Sequence, residues 1–362
     1  MPKKEIRIIQ LIDSLEPGGA ERMAVTIANS LVDEVGFSGL VVTRVEGHLK
    51  ATVKNTVSYF FLNKKKRIDV LALLRFRKYV KQHKVTHIHA HGSSYFFAIL
   101  LKLTLPTMKV FWHDHLGNRP FETRSNFFIK SASFLFSGVF VVNETLRDWG
   151  LKHLKTPNVY FLPNYVEENT VEEQKTFLQG TAGKRIVILA NLRHPKNHSL
   201  AIDAFLQSEI ALLGWTLHLV GKDSSDEYSS QLKRTVFNAN ATSSVFLYGS
   251  CSDVQHILSQ STVGLLTSSY EGFPVTLIEY GKAKLLVVTS DVGYCSQIIK
   301  NNKTGFTFTS ESTSALVEIL KDIANNYNDL HYLASNLNTF VKENYQAKQV
   351  VRQLLVGYQN EL

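Results

Sequence analysis

Two glutamates separated by seven residues lie in the segment "SSYEGFPVTLIEYGKAKLLVVTS", residues 268–290. Glu271 stands in a Gly/Pro loop directly after a strand-like run, and Glu279 lies about one turn into the helix expected after Pro274. Carboxylates accept hydrogen bonds from adjacent hydroxyls, as on a sugar or a ribose, and the N–H groups of the loop can bind phosphate oxygens. The pattern therefore predicts a site for a molecule with both groups, such as a nucleotide sugar. The alternative for Glu279 alone is a charge that stabilises the helix start.

Two cations follow an earlier strand-like run. Arg193 and Lys196 occupy the loop "NLRHPKN", after the strand "KRIVILA" and before a helix. Such a pair suits a diphosphate, because Arg can bond bidentately and Lys supplies a compact charge. Gly221 ends the next predicted strand at the same edge. Singly these loops would be ordinary surface loops, but their repetition at successive strand ends favours a ligand site.

A diglycine turn follows the first predicted strand. Gly18 and Gly19 in "PGGAER" precede a helix-like segment, so backbone N–H groups at the helix start could bind a phosphate or a sugar hydroxyl. A G-x-G-x-x-G dinucleotide fingerprint is absent from this turn. A turn without a ligand is the alternative.

Histidines are concentrated in "THIHAHG" and "FWHDHLGN". Strand alternation places His87, His89 and His91 on one face. An H-x-H pair can bind zinc, so a metal-dependent hydrolase is one alternative, although we favour simple hydrogen bonding near the sheet edge for His87 and His89. His113 and His115 follow a strand and are expected to touch a ligand.

Strand-like and helix-like segments alternate along the chain in two series. A polar, acidic stretch over 167–183 separates them and is expected to contain a short helical piece. We predict a domain over 1–166, a linker over 167–183, a second domain over 184–345, and a C-terminal helix over 346–362 that could pack back on the first domain. Two βαβ series predict two Rossmann-like parallel sheets with a cleft between them, and ligands at the carboxyl ends of the strands.

Composition restricts the class of protein. The 362 residues are 44% hydrophobic, enough for two full-sized cores. The most apolar stretches are shorter than a bilayer span, and the N-terminus has no signal-peptide pattern. The two cysteines, Cys251 and Cys295, form no disulfide framework or metal-finger spacing, which fits a reducing compartment. We expect a cytoplasmic protein.

Positive charge is concentrated in the first half of the chain, whose overall net charge is +9. Lys64, Lys65, Lys66 and Arg67 precede an apolar stripe at helical spacing. This cluster could be a solvated helix face, or it could bind anionic lipid or a phosphorylated acceptor. No recognition motif accompanies it, so we expect no nucleic-acid partner.

The motifs "GGAER", "LPNYV", "NLRHPKN" and "EGFPVTLIE" resemble those of the retaining glycosyltransferases of family four, and the resemblance covers nearly the whole chain. The E-x7-E spacing is its most specific part. The resemblance implies an α/β protein with the two-domain GT-B fold. It also implies transfer of a sugar from a nucleotide-diphosphate donor, UDP-linked, with no metal and no separate cofactor.

The resemblance assigns roles to residues of this sequence. Glu271 and the loop after it would hold the transferred sugar, Glu279 would bond the ribose, and a histidine of "HDH" would contact the reacting sugar. The implied catalytic group is His113, His115 and Glu271, and the implied donor-binding group is Gly18, Gly19, Asn164, Arg193, Lys196, Gly221, Gly272, Phe273, Pro274 and Glu279.

Three positions depart from the family pattern. Asn191 stands where arginine is frequent, so the phosphate-binding arginine would be Arg193. Tyr280 and Tyr165 replace small residues, and either could alter donor specificity.

The family and the basic first half together suggest synthesis of a bacterial surface polysaccharide at the inner face of the plasma membrane, with a glycan or polyprenyl-diphosphate-linked acceptor. Two rival classes remain. One is a glycoside hydrolase, either metal-dependent or retaining; the retaining type uses two carboxylates about 5 Å apart and has no use for Arg193 and Lys196. The other is a nucleotide-sugar-binding protein without catalysis.

Overall fold

The computed structural model describes residues 5–117, 126–166 and 174–359, and the chain divides into two compact units. Unit 1 comprises Met1–Glu167 with Ala347–Leu362, and unit 2 comprises Glu168–Gln346. The predicted short helical piece between the domains falls partly on 167–173, which lie outside the described residues. The part of that stretch over 174–183 contains no helix. It is anchored to unit 2, where the Asp253 carboxylate accepts from the N–H groups of Lys175 and Thr176.

The described part of unit 1 contains a seven-stranded parallel sheet in the order β3-β2-β1-β4-β5-β6-β7. Its strands are β1 Arg7–Ser14, β2 Phe37–Val45, β3 Ser58–Phe61, β4 His87–His91, β5 Lys109–Asp114, β6 Gly138–Val141 and β7 Val159–Phe161. Its helices are α1 Gly19–Leu31, α2 Val70–Gln82, α3 Tyr95–Thr104, α4 Phe127–Ala132, α5 Glu144–His153 and α12 Ala347–Gln359. The apolar runs of β1, β2 and β4–β6 form strands because helices cover both faces of a parallel sheet.

Unit 2 repeats this architecture with six parallel strands in the order β10-β9-β8-β11-β12-β13. The strands are β8 Arg185–Leu189, β9 Thr216–Val220, β10 Val245–Gly249, β11 Val263–Leu266, β12 Leu286–Ser290 and β13 Phe306–Phe308. The helices are α6 His198–Ser208, α7 Glu227–Asn238, α8 Val254–Ser259, α9 Val275–Lys282, α10 Cys295–Ile298 and α11 Thr313–Asn344. Two parallel α/β sheets confirm the predicted fold class.

In each sheet the strand order reverses direction between the first strand and a later neighbour, β4 in unit 1 and β11 in unit 2. Connections on the two sides of such a point leave the sheet in opposite directions, which opens a crevice at the carboxyl ends of the strands. The diglycine turn, His91, His113 and His115 lie at or near this edge in unit 1, and both glutamates follow β11 in unit 2.

Helix α12 belongs to unit 1 although it ends the described chain. Val350, Leu354 and Tyr358 are buried with Ile8 of β1 and Phe111 of β5 in one core cluster. Within the described residues, no helix combines the length and the apolar character that a membrane crossing requires.

Candidate functional site

Lys196 and Glu271 meet at the carboxyl edge of the sheet in unit 2. The Lys196 ammonium nitrogen lies 2.5 Å from Glu271 Oε1, and the Ser268 hydroxyl donates to the same oxygen at 2.6 Å. The side chains of Lys196 and Glu271 are 19% and 10% exposed, so the pair is largely shielded from water but remains accessible. An anionic ligand that binds Lys196 therefore competes with the Glu271 carboxylate for the ammonium group.

Backbone contacts hold the two loops of this pair together. The Thr267 hydroxyl lies 3.0 Å from the carbonyl oxygens of Lys196 and of Asn197, both possible acceptors, and the Ser269 N–H donates to the Pro195 carbonyl at 2.9 Å. Asn197 adopts a left-handed conformation at φ 48°, where asparagine is tolerated. The site is thus fixed by side chains at the end of β11 before any ligand is present.

The loop Gly272-Phe273-Pro274 is supported from behind by a second turn. The Phe273 ring is buried and stacks on Tyr294 with ring centres 4.9 Å apart. Gly293 has φ +54°, and a Cβ there would lie 1.8 Å from the Glu271 carbonyl oxygen. The Phe273 side chain therefore holds the loop in place.

Glu279 lies on α9 and is only 6% exposed. The helix begins after Pro274, so the carboxylate lies in its second turn, beyond the first turn, where the helix dipole acts most strongly. The next residue, Tyr280, has a structural role. Its hydroxyl accepts from the Leu189 N–H at 2.9 Å, and its ring lies over Gly264, where a Cβ would come within 2.4 Å of the ring.

Arg193 and Gly221 lie on neighbouring loops at the same edge. Arg193 is exposed and precedes a short 3₁₀ turn at His194–Lys196. Gly221 packs so closely on the end of β8 that a Cβ would lie 2.0 Å from the Ala190 carbonyl oxygen. Asn191 joins the two loops, since its side-chain oxygen accepts from the Lys222 N–H at 3.0 Å. The asparagine that departs from the family pattern therefore has a structural function here.

In unit 1, Gly18 caps the start of α1 in an extended conformation, with φ −162°. A Cβ on Gly18 would lie 2.2 Å from a carboxylate oxygen of Glu21, whereas Gly19 faces open space. The Glu21 carboxylate already lies beside this helix start. A phosphate that bound the N–H groups there would have to displace that carboxylate.

The histidines of β4 and β5 form one cluster in unit 1. His91 Nδ1 lies 2.9 Å from His115 Nε2, and His91 Nε2 lies 2.9 Å from Gln10 Oε1. His89 Nδ1 lies 2.5 Å from the Tyr358 hydroxyl. His113 is fully buried, whereas His115 is partly exposed. Of the two predicted catalytic histidines, His115 is the more exposed as a whole, but its Nε2 contacts His91 and its Nδ1 is buried, so neither of its ring nitrogens faces solvent.

Burial keeps these imidazoles neutral. Loss of water lowers the pKa of His115 to about 3 and the pKa of His87 to about 4. The pKa values of His89, His91 and His113 lie well below the ordinary value for the same reason. Neutral imidazole offers a lone pair on one nitrogen.

The LPNYV segment is buried. Asn164 is 4% exposed and Tyr165 is 1% exposed. The hydroxyls of Tyr165 and Ser30 lie 3.1 Å apart, which ties this segment to α1. The large residue at 165 thus packs into unit 1 itself.

The expectation that Lys64 belongs to an exposed basic cluster is wrong. Its side chain is 4% exposed, and its nitrogen lies 3.8 Å from Asp13 Oδ1 and 4.7 Å from the centre of the Phe97 ring. Burial lowers its pKa. Lys65, Lys66 and Arg67 are exposed as predicted.

Several residues near the carboxyl ends of the strands, in one unit or the other, were not found from the sequence. Ser268 binds Glu271, and Gly293 and Tyr294 support the loop that follows it. Asp13, at the end of β1, accepts from the Ser93 hydroxyl at 2.6 Å. The sequence pattern that could have found them is a polar residue or a glycine near the end of an apolar strand. Many loops without a function have the same pattern, so it does not identify a site.

The described residues form two parallel-sheet α/β units, and comparison with known proteins gives the family of the chain. The family model "Glycosyltransferase Family 4" matches residues 17–169, and "Glycosyl transferases group 1" matches residues 170–339. The two matches together span most of the chain, which therefore belongs to the GT-B glycosyltransferases of family four.

Individual relatives are distant but similar over their full length. The O-antigen biosynthesis glycosyltransferase WbnH of Escherichia coli is 23% identical over 92% of this chain and 95% of its own. Anabaena Alr3699/HepE, solved in complex with UDP and glucose, superposes with a TM-score of 0.81 at 16% identity, covering 98% of this chain and 99% of that one. TarM superposes with a TM-score of 0.78 at 14% identity, covering 99% of both chains. These structures confirm the GT-B fold.

Proposed function

We propose that this glycosyltransferase moves a sugar from a UDP-linked donor to a hydroxyl of a glycan or polyprenyl-diphosphate-linked acceptor, with retained anomeric configuration, in the synthesis of a bacterial surface polysaccharide. The donor class is supported by HepE, which has been solved with UDP and with UDP-glucose. The pathway is supported by the O-antigen glycosyltransferase WbnH.

The observation that carries the proposal is the contact of Lys196 with Glu271 at the carboxyl edge of unit 2. The shielded ammonium group of Lys196 can bind a diphosphate. The carboxylate of Glu271, on the other loop, can accept hydrogen bonds from sugar hydroxyls. Arg193, exposed three residues before Lys196, adds a second cation. A site with cations for the leaving group suits transfer from a nucleotide sugar better than simple hydrolysis of a glycoside.

The reaction breaks the bond between the anomeric carbon and the diphosphate oxygen, and the electron pair stays on that oxygen. Lys196 and Arg193 stabilise the developing negative charge, which is the largest contribution we assign to the protein. The acceptor oxygen forms the new bond on the same face, and its proton passes to the departing diphosphate. Glu271 orients the sugar, and Glu279 binds the ribose hydroxyls.

We propose that one of His113 and His115 contacts the reacting sugar; His115 is the more exposed of the two, and its buried Nδ1 has to become accessible for that contact. The neutral His115 ring can accept or donate one hydrogen bond, and its Nε2 is held by His91. It is a positioning and polarising group in this scheme.

Turnover with a panel of nucleotide sugars tests the proposal. We expect UDP release from one UDP-sugar only when a lipid-linked or glycan acceptor is present. The product should have the same anomeric configuration, axial or equatorial, as the donor. Sugar release to water alone would support a glycosidase. Binding of UDP-sugars without turnover on any acceptor would support the binding protein.

We also propose that unit 1 contacts an anionic membrane surface at the inner face of the plasma membrane. Lys65, Lys66 and Arg67 are exposed, and the exposed apolar residues Ile68 and Leu71 follow them. Basic side chains beside apolar ones suit the interface of an anionic bilayer, where each basic residue contributes about 1 kcal/mol.

A further inference from the structure

Three buried histidines converge inside unit 1. His89, His91 and His113, here called the histidine trio, each offer one ring nitrogen, and these nitrogens all lie within 4.8 Å of one another. The pairing of β4 with β5 explains the convergence, because His91 lies opposite His113 in the parallel register. The trio is 0–1% exposed.

The trio carries nitrogen atoms with no hydrogen-bond partner among the described residues. They are Nε2 of His89 and both ring nitrogens of His113. A buried polar atom without a partner costs about 1–3 kcal/mol, so native proteins rarely keep several of them side by side. The cluster therefore requires a further binding partner.

Two ring nitrogens of the trio, one on His89 and one on His91, already contact neutral oxygen atoms of other side chains. His89 Nδ1 lies 2.5 Å from the Tyr358 hydroxyl, and His91 Nε2 lies 2.9 Å from Gln10 Oε1. A histidine that binds a metal uses one nitrogen for the ion, while the other is commonly fixed by a hydrogen bond to such a group. Tyr358 and Gln10 stand where those outer partners are expected.

We propose that the histidine trio binds one divalent transition-metal ion, Zn²⁺ by preference, as a structural site within unit 1. Imidazole is a ligand suited to zinc, and structural zinc sites are four-coordinate. His115 Nε2, next to His91 Nδ1, is the available fourth ligand, which leaves only Nδ1 of His115 for the proposed sugar contact. The inference concerns the stability of unit 1 and does not depend on the proposed sugar transfer.

Binding requires small side-chain movements. Zinc–nitrogen bonds of about 2.0–2.1 Å bring ligand nitrogens to roughly 3.4 Å from one another. The rings of His89 and His91 are nearly parallel, with an interplanar angle of 4°. One of them has to turn about its Cβ–Cγ bond before both can point at one ion, and the ion replaces the His91–His115 hydrogen bond.

Zinc binds the neutral form of imidazole, so the ligands themselves contribute no charge. The ion brings a double positive charge into a buried cluster of neutral ligands. The Tyr358 and Gln10 oxygens partly offset this charge by polarising the imidazoles.

The test uses the full chain, purified without a histidine tag. Elemental analysis after dialysis should find one equivalent of zinc in the wild type, or the metal-free protein should take up one equivalent of Zn²⁺ or Co²⁺. Bound Co²⁺ should show the visible ligand-field absorption of a four-coordinate site, and Zn²⁺ should raise the melting temperature of the metal-free protein.

The variants His113→Gln and His89→Gln should each lower zinc affinity at least tenfold, and Tyr358→Phe should lower it about tenfold through the outer hydrogen bond. His87→Gln is the matched control, because His87 is equally buried on the same strand but outside the trio. It should leave zinc binding unchanged.

A wild-type protein that neither contains nor takes up a metal ion, and whose melting temperature does not respond to Zn²⁺, would overturn the proposal whether or not the variants fold. Equal zinc binding by the wild type and a folded His113→Gln protein would do the same.

Discussion

At the scale of single residues, the two glutamates that the sequence spaces seven residues apart have different surroundings. Glu271 lies on a loop, where one of its carboxylate oxygens contacts both Lys196 and Ser268. Glu279 is buried on a helix. In the proposed function, the loop carboxylate of Glu271 orients the reacting sugar, and the helix carboxylate of Glu279 binds the ribose of the nucleotide.

Separate substitutions should distinguish these roles. Glu279→Ala should weaken binding of free UDP and of the donor together, by about 1.5–3 kcal/mol, because charge-assisted hydrogen bonds to the ribose are lost. Glu271→Ala should lower turnover while the affinity for free UDP stays nearly unchanged. Calorimetric titration with UDP and initial rates measure the two effects, and Glu318→Ala, on an exposed helix face, is the control. An equal loss of UDP affinity in both site variants would refute the assignment.

A buried histidine of unit 2 predicts a pH dependence of stability. His218 is 0% exposed, and burial lowers its pKa to about 4. Below pH 6.5 the unfolded chain takes up a proton that the folded chain does not, so this group contributes stability at neutral pH that is lost as the pH falls from about 6.5 towards 4.

The loss attributable to His218 should be about 1.4 kcal/mol per pH unit within that window. Denaturant unfolding of the wild type and His218→Gln at pH 7, 6 and 5 measures it, and the variant should lose less stability on acidification. Its hydrogen bonds to Thr216 and Tyr248 make glutamine the suitable replacement. Parallel pH profiles of the two proteins would show that His218 is not the source.

At the scale of elements, strand-end loops carry the site, and their shapes depend on close backbone contacts. The clearest is Gly293, where a positive φ and a neighbouring carbonyl 1.8 Å from an added Cβ exclude a side chain. Gly183 has a positive φ as well, but an added Cβ there would meet nothing within 4 Å. Comparing substitutions at Gly293 and Gly183 therefore separates the effect of the close contact with the Glu271 carbonyl from the effect of the positive φ.

Gly183→Ala should lower stability by about 1 kcal/mol through its left-handed conformation alone. Gly293→Ala should lower it further and also reduce turnover at least tenfold, because the Glu271 loop has to move. Melting temperatures and initial rates of both variants test this. If Gly293→Ala had the same turnover as Gly183→Ala, catalysis would not depend on the exact position of the Glu271 loop.

The longer apolar strands and the strand-end positions of Glu271, Lys196 and Arg193 were predictable from the sequence, because burial between helices requires long runs of apolar residues. The strands β3, β7 and β13 were not predicted; β7 and β13 have only three residues each, and β3 has four. Contacts between residues far apart in the chain were also beyond sequence reasoning. The Tyr280 ring fits over Gly264, and Lys64 is buried against Asp13, through partners that a local pattern does not reveal.

At the scale of the whole molecule, the charge of unit 1 and its exposed apolar residues occur on the same element. Lys65, Lys66 and Arg67 precede α2, and Leu71 and Leu74 on that helix are 70% and 55% exposed. Arg67 also lies 4.8 Å from the centre of the Phe96 ring. Exposed charge and exposed apolar surface therefore occur together at one end of α2, and the two contributions to the proposed membrane contact should respond differently to salt.

The last prediction separates these two contributions. Replacing Lys65, Lys66 and Arg67 with glutamine should release the protein from anionic vesicles, much as high salt does, because exposed charges are screened within about 8 Å at physiological ionic strength. Replacing Leu71 and Leu74 with serine should instead remove the binding that survives high salt. Donor affinity should be unchanged in both variants, because these residues belong to unit 1 and the proposed nucleotide site belongs to unit 2.

The control removes the same charge from the other end of the helix, by replacing Lys78, Lys81 and Lys84 with glutamine. These lysines are exposed like the first three, so general electrostatic attraction to the whole unit would make both triple variants lose binding equally. If the membrane surface is centred on the start of α2, the first triple variant should lose more binding to anionic vesicles in co-sedimentation than the second. Neither triple variant should change binding to neutral vesicles. Equal pelleting of the wild type and the first variant at every salt concentration would exclude this surface from membrane binding and leave a solvated helix face.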